Sequence, residues 1–303
     1  MFISVIIIAF DRKQFILDAI KSALQQTLSH EKYEIIVIKN YEDKKIDEFI
    51  IRNGIINIIS NYKSLSGKLA EAMEIANGEI VSFLEDDDRF YNEKLETVYG
   101  YFRNDKNLVY YHNSSLFEDD KRNILPMKFD SPDFNLSSIS IKKDIIDISA
   151  LKSMPDAVDA FFYFNAIDSG GRLVIDQKVL THYRYHGIPS NQISDFKTKL
   201  EHKLDNFQYN IENYILILKN LKTNNAKNTI LNIIITAKIE ANILCSLLQK
   251  KDRDTLTRKE IWFWLLYPAY YDRKIPILFK IIKYCELIIP YKMKVYLFNL
   301  YTK

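Results

Sequence analysis

The chain opens on FISVIII, Phe2 to Ile8, a run of apolar, mostly β-branched residues with almost no polar alternation. A strand apolar on both faces is covered on both sides, as central strands of helix-layered parallel sheets are. The pattern then recurs. After the first strand, Asp11 reads as an N-cap with Gln14 three residues on, as in a capping box. The helix that follows is expected to bury Ile16, Ile20, Ala23, Leu24 and Leu28 at spacings of three and four. YEIIVIKN is a second strand, KIDEFIIRNG a short helix closed by Gly54, and INII a third strand. GKLAEAMEIANG is a helix ending at Gly78, and EIVSFL a fourth strand. Four strands alternating with three helices predict an α/β domain with a largely parallel sheet.

Directly after the fourth strand stand Glu85, Asp86, Asp87 and Asp88. Crowded carboxylates repel one another unless solvated or neutralised by a cation. Their place is informative, because open α/β sheets bind ligands at the carboxyl ends of their strands. Oxygen-only donors in a loop suit a hard divalent cation, Mg²⁺ or Mn²⁺, shared with substrate phosphates. The alternating acids and turn glycine of an EF-hand are missing. SLSGKL carries Gly67-Lys68, but a Walker A loop would need glycine where Tyr62 stands and Ser or Thr where Leu69 stands. No G-x-G-x-x-G fingerprint occurs.

Composition narrows the classes further. A formal net charge of +3 over 303 residues argues against a nucleic-acid binder, which would show a basic excess on one stripe. Cys245 and Cys285 lack C-x-x-C spacing, which excludes a thiolate zinc site and a disulfide framework and fits a reducing, cytoplasmic compartment. The N-terminal run lacks the basic start and cleavage site of a signal peptide.

Taken in order, these segments resemble the inverting, family-two glycosyltransferases with the GT-A fold. The resemblance rests on SVIIIAFDRKQFILDAIKSALQQT, YEIIVIKN, IANGE and IVSFLEDDD, continuous from Phe2 to about Asp88. It continues more thinly through VDAFFYFNAIDSG and YRYHGIPSNQIS, to about residue 195. It implies a GT-A-type, mostly parallel sheet flanked by helices over residues 1–194, followed by an α-helical region over 195–303. It also implies transfer of a sugar from a UDP- or GDP-linked donor to a saccharide or lipid-linked acceptor, with a divalent cation as cofactor.

Carried over residue by residue, the pattern places Glu85 at the ribose, Asp87 as metal ligand, Asp88 completing the metal shell or holding the loop, and Asp86 in the variable slot. Glu85 stands where the family usually has Asp. Asp159 is the candidate base that deprotonates the acceptor hydroxyl, with Asp156 in reserve; Val158 replaces the Glu that usually precedes it. Lys39 and Asn40 stand where the family reads a uracil or guanine edge with Asp, and Asn40 can both donate and accept. Phe10 and Asp11 fall near the nucleobase. Lys68 is placed for the donor's diphosphate or base, or is a solvated helix-start lysine. Arg184 and His186 share one side of a strand and suit a pyrophosphate.

Residues 196–221 and 226–250 read as two long helices. The tail, 256–303, interleaves Trp, Tyr and Lys/Arg with Ile and Leu but has no charge-free span of about 20 residues. It reads either as a peripheral membrane foot on the cytoplasmic face or as a helical subdomain or homodimer surface. Two other functions stay open: a nucleotidyltransferase on a similar sheet, and a degenerate homologue that binds a nucleotide or partner without turnover. The first would carry a Gly-rich, Arg-containing first loop, where this chain has AFDRKQF; Lys39, Asn40 and Val158 are the features that raise the second.

Overall fold

The computed structural model describes residues 1–266 apart from 11, 127–130, 133, 156, 187–194 and 251–254. The Asp11 cap, the reserve base Asp156, the end of the YRYHGIPSNQIS stretch and the tail beyond 266 lie outside the described residues. The chain divides into two compact units, Met1–His186 and Gly187–Lys303.

In the first unit β1 (Ile3–Ala9) has all seven residues buried. It lies between β2 (Tyr33–Lys39) and β4 (Ile80–Glu85), parallel to both, and β3 (Ile56–Ile59) extends the parallel set beside β2. Helix α1 (Ile16–Leu24) connects β1 toward β2, α2 (Lys44–Arg52) connects β2 to β3, and α3 (Leu65–Ile75) connects β3 to β4. Beyond them come β5 (Arg89–Phe90), α4 (Lys94–Asn104), β6 (Leu108–Glu118), β7 (Ile139–Lys142), α5 (Ile148–Ser153), α6 (Val158–Asp168) and β8 (Arg172–Arg184). The sheet order is β3-β2-β1-β4-β7-β6-β8-β5. Strand β7 runs antiparallel to both neighbours, and β6 and β8 are again parallel. The sheet is therefore mixed and mostly parallel.

One face packs Ile3, Val5 and Ile7 against Ile16 and Ile20 of α1, Ile46 and Ile50 of α2, and Leu95 and Val98 of α4. Against the other face, Phe83 of β4 stacks on Phe162 of α6 with ring centroids 4.6 Å apart. Each large side chain buried in this way contributes roughly 1.5–3 kcal/mol. Helix α1 is shorter than its periodicity predicts: it starts at Ile16 and ends before Leu28, which is buried in the same core from the following loop.

The strand alignment matters for function. Ile8 pairs with Glu85 and Ala9 with Lys39, so β1, β2 and β4 end level with one another. Phe10, residues 40–41 and residues 85–88, which follow these strands, therefore lie at one edge.

The second unit contains α7 (Phe196–Asn220), α8 (Asn224–Leu247) and α9 (Arg258–Leu266). Leu200 and Leu204 of α7 share a core with Ile235, Ile239 and Leu244 of α8 and Trp264 of α9, whose indole N–H donates to Thr236 Oγ1 at 2.8 Å. Helix α8 is long and apolar enough to cross a membrane by length and composition, but two thirds of its most apolar stretch is buried inside the protein, as in a core helix.

Gly78 is where the chain crosses tightly over β1 on its way into β4. A Cβ there would stand 2.4 Å from the backbone nitrogen of Ser4, whose hydroxyl accepts the Gly78 N–H at 2.8 Å. Gly78→Ala is expected to lower the unfolding free energy by about 1–3 kcal/mol, read by chemical denaturation; an unchanged midpoint contradicts this packing.

Candidate active site

The acidic turn is built by the end of β4. Asp86 N–H donates to Ile8 O at 3.1 Å and Asp88 N–H to Glu85 O at 3.2 Å, which folds the chain back at the sheet edge. The turn is not solvated: Asp86, Asp87 and Asp88 are 0%, 6% and 1% exposed. Three neighbouring carboxylates this deeply buried need compensation, and it arrives from distant parts of the chain.

Asp86 Oδ2 accepts the Phe10 N–H at 2.8 Å, and Asp86 Oδ1 pairs with Arg12 Nη2 at 2.7 Å. The other terminal nitrogen of Arg12 pairs with Asp87 Oδ2. That same oxygen lies 2.6 Å from His186 Nε2, and His186 Nδ1 lies 2.9 Å from Asp120 Oδ1. Asp88 Oδ1 accepts the Arg184 N–H at 2.9 Å. Asp88 Oδ2 is buried and accepts no well-aligned hydrogen bond among the described residues, although the Ser137 hydroxyl lies beside it.

Burial pushes Asp88 up to about 8, with the charge of Asp87 adding to it. Burial also pushes Asp86 up to about 6, against the pull of Arg12. Glu85 is held well above the usual carboxylate range by burial, then by Asp88, Asp159 and Asp87.

Several of the sequence-predicted residues lie together at this edge: Phe10, Glu85, Asp86, Asp87, Asp88, Asp159, Arg184 and His186. Asp159, in the first turn of α6, is close enough to Glu85 to raise its pKa. It follows Ala157, whose left-handed backbone (φ 56°, ψ 41°) costs a non-glycine residue roughly 1–2 kcal/mol and sets the entry of α6. Lys68 is fully buried rather than solvated, with Nζ 3.4 Å from the ring centroid of Phe10, which is itself 40% exposed. Asn40 lies exposed at the end of β2. Its neighbour Lys39 is turned inward: Nζ sits 2.7 Å from Asp47 Oδ1 and donates to Tyr41 O at 2.6 Å.

Arg184 differs from its expected role at a pyrophosphate. It is buried, donating from Nε to Asp87 O at 3.0 Å and from Nη1 to Asp120 O at 3.1 Å, with its guanidinium over the Phe15 ring. It does share a side with His186, as alternation predicts, but both turn onto Asp87. Arg184 therefore clamps the backbone of the acidic turn.

Three participants had not been singled out. Arg12 lies in the loop after β1, where the sequence reads only as a continuation of the Phe10-Asp11 motif. Lys94 is completely buried, donating to Ser137 O and standing 4.2 Å from the Phe90 ring centroid; burial lowers its pKa well below the lysine range, though Asp88 pulls it back up. Asp120 stands at the turn after β6. Arg12 belongs to the opening motif but was given no role there, Lys94 and Asp120 belong to no motif, and the part each plays becomes visible only when the strands are assembled.

The chemistry of the donors fits a divalent cation. Asp87 and Asp88 offer hard oxygens, one of them buried without a well-aligned hydrogen bond, and such ions are held by one or two carboxylates plus substrate phosphates. Among the described residues no three His, Cys, Asp or Glu side chains already converge as a metal cage.

The mixed, mostly parallel sheet with buried acids at the carboxyl ends of its parallel strands is of the GT-A type that the solved structures below share, with the acids where such sheets bind ligands. Glycosyl transferase family 2 matches residues 4–167, more than half of the chain, and the protein belongs to that family. It is 26% identical over 199 residues to UDP-Glc:alpha-D-GlcNAc-diphosphoundecaprenol beta-1,3-glucosyltransferase WfaP of Escherichia coli, spanning 61% of this chain and 77% of that relative. Its fold is similar to S. aureus TarS 1-349 in complex with UDP, with TM-score 0.60 and 13% identity over 99% of this chain and 92% of that one. It is also similar to the mannosyltransferase PcManGT from Pyrobaculum calidifontis in complex with GDP-Man and Mn2+, with TM-score 0.54 and 11% identity over 94% and 86% of the two chains.

The raised carboxyl pKa values have a thermodynamic consequence. A carboxyl whose pKa is higher folded than unfolded binds more protons in the native state, so stability falls as pH rises between the two values. For Asp88 that window runs from the ordinary 3.8 to about 8. Without added metal, the melting temperature is expected to fall from pH 5 to pH 8, and Asp88→Asn should flatten that slope. A melting temperature that rises across the window contradicts the burial of these acids.

Proposed function

We propose that the protein is an inverting glycosyltransferase that uses a UDP- or GDP-linked sugar and a divalent cation. The observation that carries this reading is that Asp159, in the first turn of α6 and 71 positions beyond Asp88, comes close enough to Glu85 of the acidic turn to raise its pKa.

In this reading Phe10 and Asn40 receive the nucleobase, Asn40 being the exposed member of its pair while Lys39 is neutralised by Asp47. Glu85 holds the ribose hydroxyls, and Asp86 keeps the loop after β1 in place through the Phe10 N–H. Asp87 and Asp88 hold the cation, His186 orients Asp87, and Arg184 fixes the turn from below. Lys68 places its charge behind the Phe10 ring, on the donor side. The cation, Mn²⁺ or Mg²⁺, supplies Lewis-acid stabilisation of the diphosphate charge.

Asp159 takes the proton of the acceptor hydroxyl. The acceptor oxygen bonds to the anomeric carbon from the face opposite the diphosphate. The bond from that carbon to the phosphate oxygen breaks, its electron pair leaving with the nucleoside diphosphate, so the configuration inverts. The likeness to WfaP, named for a diphosphoundecaprenol-linked substrate, favours a lipid-linked saccharide acceptor and with it a place at a membrane surface.

The test is Asp159→Asn. Transfer should fall by about 10²–10⁴-fold, the usual contribution of a general base, while affinity for UDP or GDP is retained. Full transfer by Asp159→Asn overturns the assignment and moves it to Asp156.

A further inference from the structure

Asp87 is engaged by cationic or imidazole groups from two directions. One of them, Arg12, is permanently charged and reaches across from the loop after β1. Its two terminal nitrogens are divided between Asp86 and Asp87, in the forked geometry for which a guanidinium is suited. The partners differ in freedom. Asp86 is fully buried and also held by the Phe10 N–H, whereas Arg12 keeps 36% of its side chain exposed. The carboxylates are fixed, and the guanidinium is the member with room to leave. Electrostatics hold it there: Asp86, Asp87, Glu85 and Asp88 together raise its pKa, although burial opposes them.

Resting on the glycosyltransferase reading above, we propose that Arg12 is a resident counter-cation that exchanges with the divalent cation at Asp87, so that metal binding is suppressed until a nucleoside diphosphate is present. A guanidinium and a divalent ion on the same carboxylate repel each other, so Arg12 at Asp87 Oδ2, where His186 is also placed, lowers the affinity of Asp87 for the ion. A diphosphate at the sheet edge resolves the conflict, because it offers Arg12 a second anion with bidentate geometry. Arg12 then moves from Asp87 to the phosphates, which removes the permanent positive charge that competes with the cation, while His186 stays to orient Asp87. Metal and nucleotide become linked ligands, each raising the other's affinity by the same factor. Lys68 is less suited to this part, since its side chain is fully buried, with the ammonium on the Phe10 ring, whereas Arg12 keeps 36% of its side chain exposed.

The experiment is a Mn²⁺ titration followed by the EPR signal of the free ion, with and without UDP or GDP, on the full chain and on Arg12→Gln and Arg12→Lys. The unsubstituted protein should bind Mn²⁺ weakly alone and about 5–150-fold more tightly with the nucleotide, the ordinary range of coupling between sites. Arg12→Gln should bind Mn²⁺ alone at least about fivefold more tightly than the unsubstituted protein and lose most of the coupling. Arg12→Lys, which keeps the charge, should retain the suppression, separating charge from a general loosening of the loop. Equal or weaker Mn²⁺ binding by Arg12→Gln without nucleotide, where the unsubstituted protein binds Mn²⁺ with nucleotide, overturns the exchange and leaves the metal-dependent reading standing. Absence of Mn²⁺ binding in every variant and with either nucleotide overturns both.

Discussion

Three adjacent carboxylates stand almost completely out of water, and the rest of the site is arranged around their compensation. Left alone, such a cluster would take up protons or unfold the edge of the sheet. Here Arg12 reaches it from the loop after β1, the Arg184 amide and guanidinium from β8, and His186 from just beyond that strand. Lys94 lies beneath, its charge coupled to Asp88. The partners come from three places in the chain, the loop after β1, the end of β8 with the residues just beyond it, and α4, so the fold must be complete before the turn is tolerable. The same dependence is what the proposed function draws on: a divalent cation at the turn would bring compensation that these partners supply only in part.

The fold was legible where each element speaks for itself. The four β-branched runs and their intervening amphipathic helices predict β1 to β4 and α1 to α3, because hydrophobic periodicity is a local property. Long helices α7 and α8 are found within a few residues of their expected ends. The start of α1 was not legible. Asp11 followed by Gln14 has the form of a capping box, yet the helix begins at Ile16 after Phe15, with no side-chain cap. The loop between serves the site instead, since it must carry the Phe10 amide and Arg12 to the acidic turn. Strand β5 and helix α5 also escaped: β5 is two residues long and exists only through its pairing with His182 and Thr181.

The same division holds in the site. Glu85 to Asp88 could be picked out because their place after a buried strand is a statement about sheet topology. Asp159 followed from the resemblance, and its nearness to Glu85 is a tertiary fact. Arg184 and His186 were expected on one side, and they are, but the groups they meet are the acidic turn 97 and 99 residues away. Lys68 shows how far environment decides a role: its sequence context fits a solvated lysine, yet it is fully buried over an aromatic ring. Lys39 was ambiguous beside Asn40 until Asp47 was seen to neutralise it from α2.

The central claim is that the buried acids form a site for a cation and a nucleoside diphosphate. Ligands that bind only the native state raise its melting temperature, so the most direct measurement is thermal unfolding with UDP or GDP, with Mn²⁺, and with both. The account predicts an increase that requires nucleotide and Mn²⁺ together and disappears in Asp87→Asn. An increase of the same size in Asp87→Asn, or none with any combination, would contradict it.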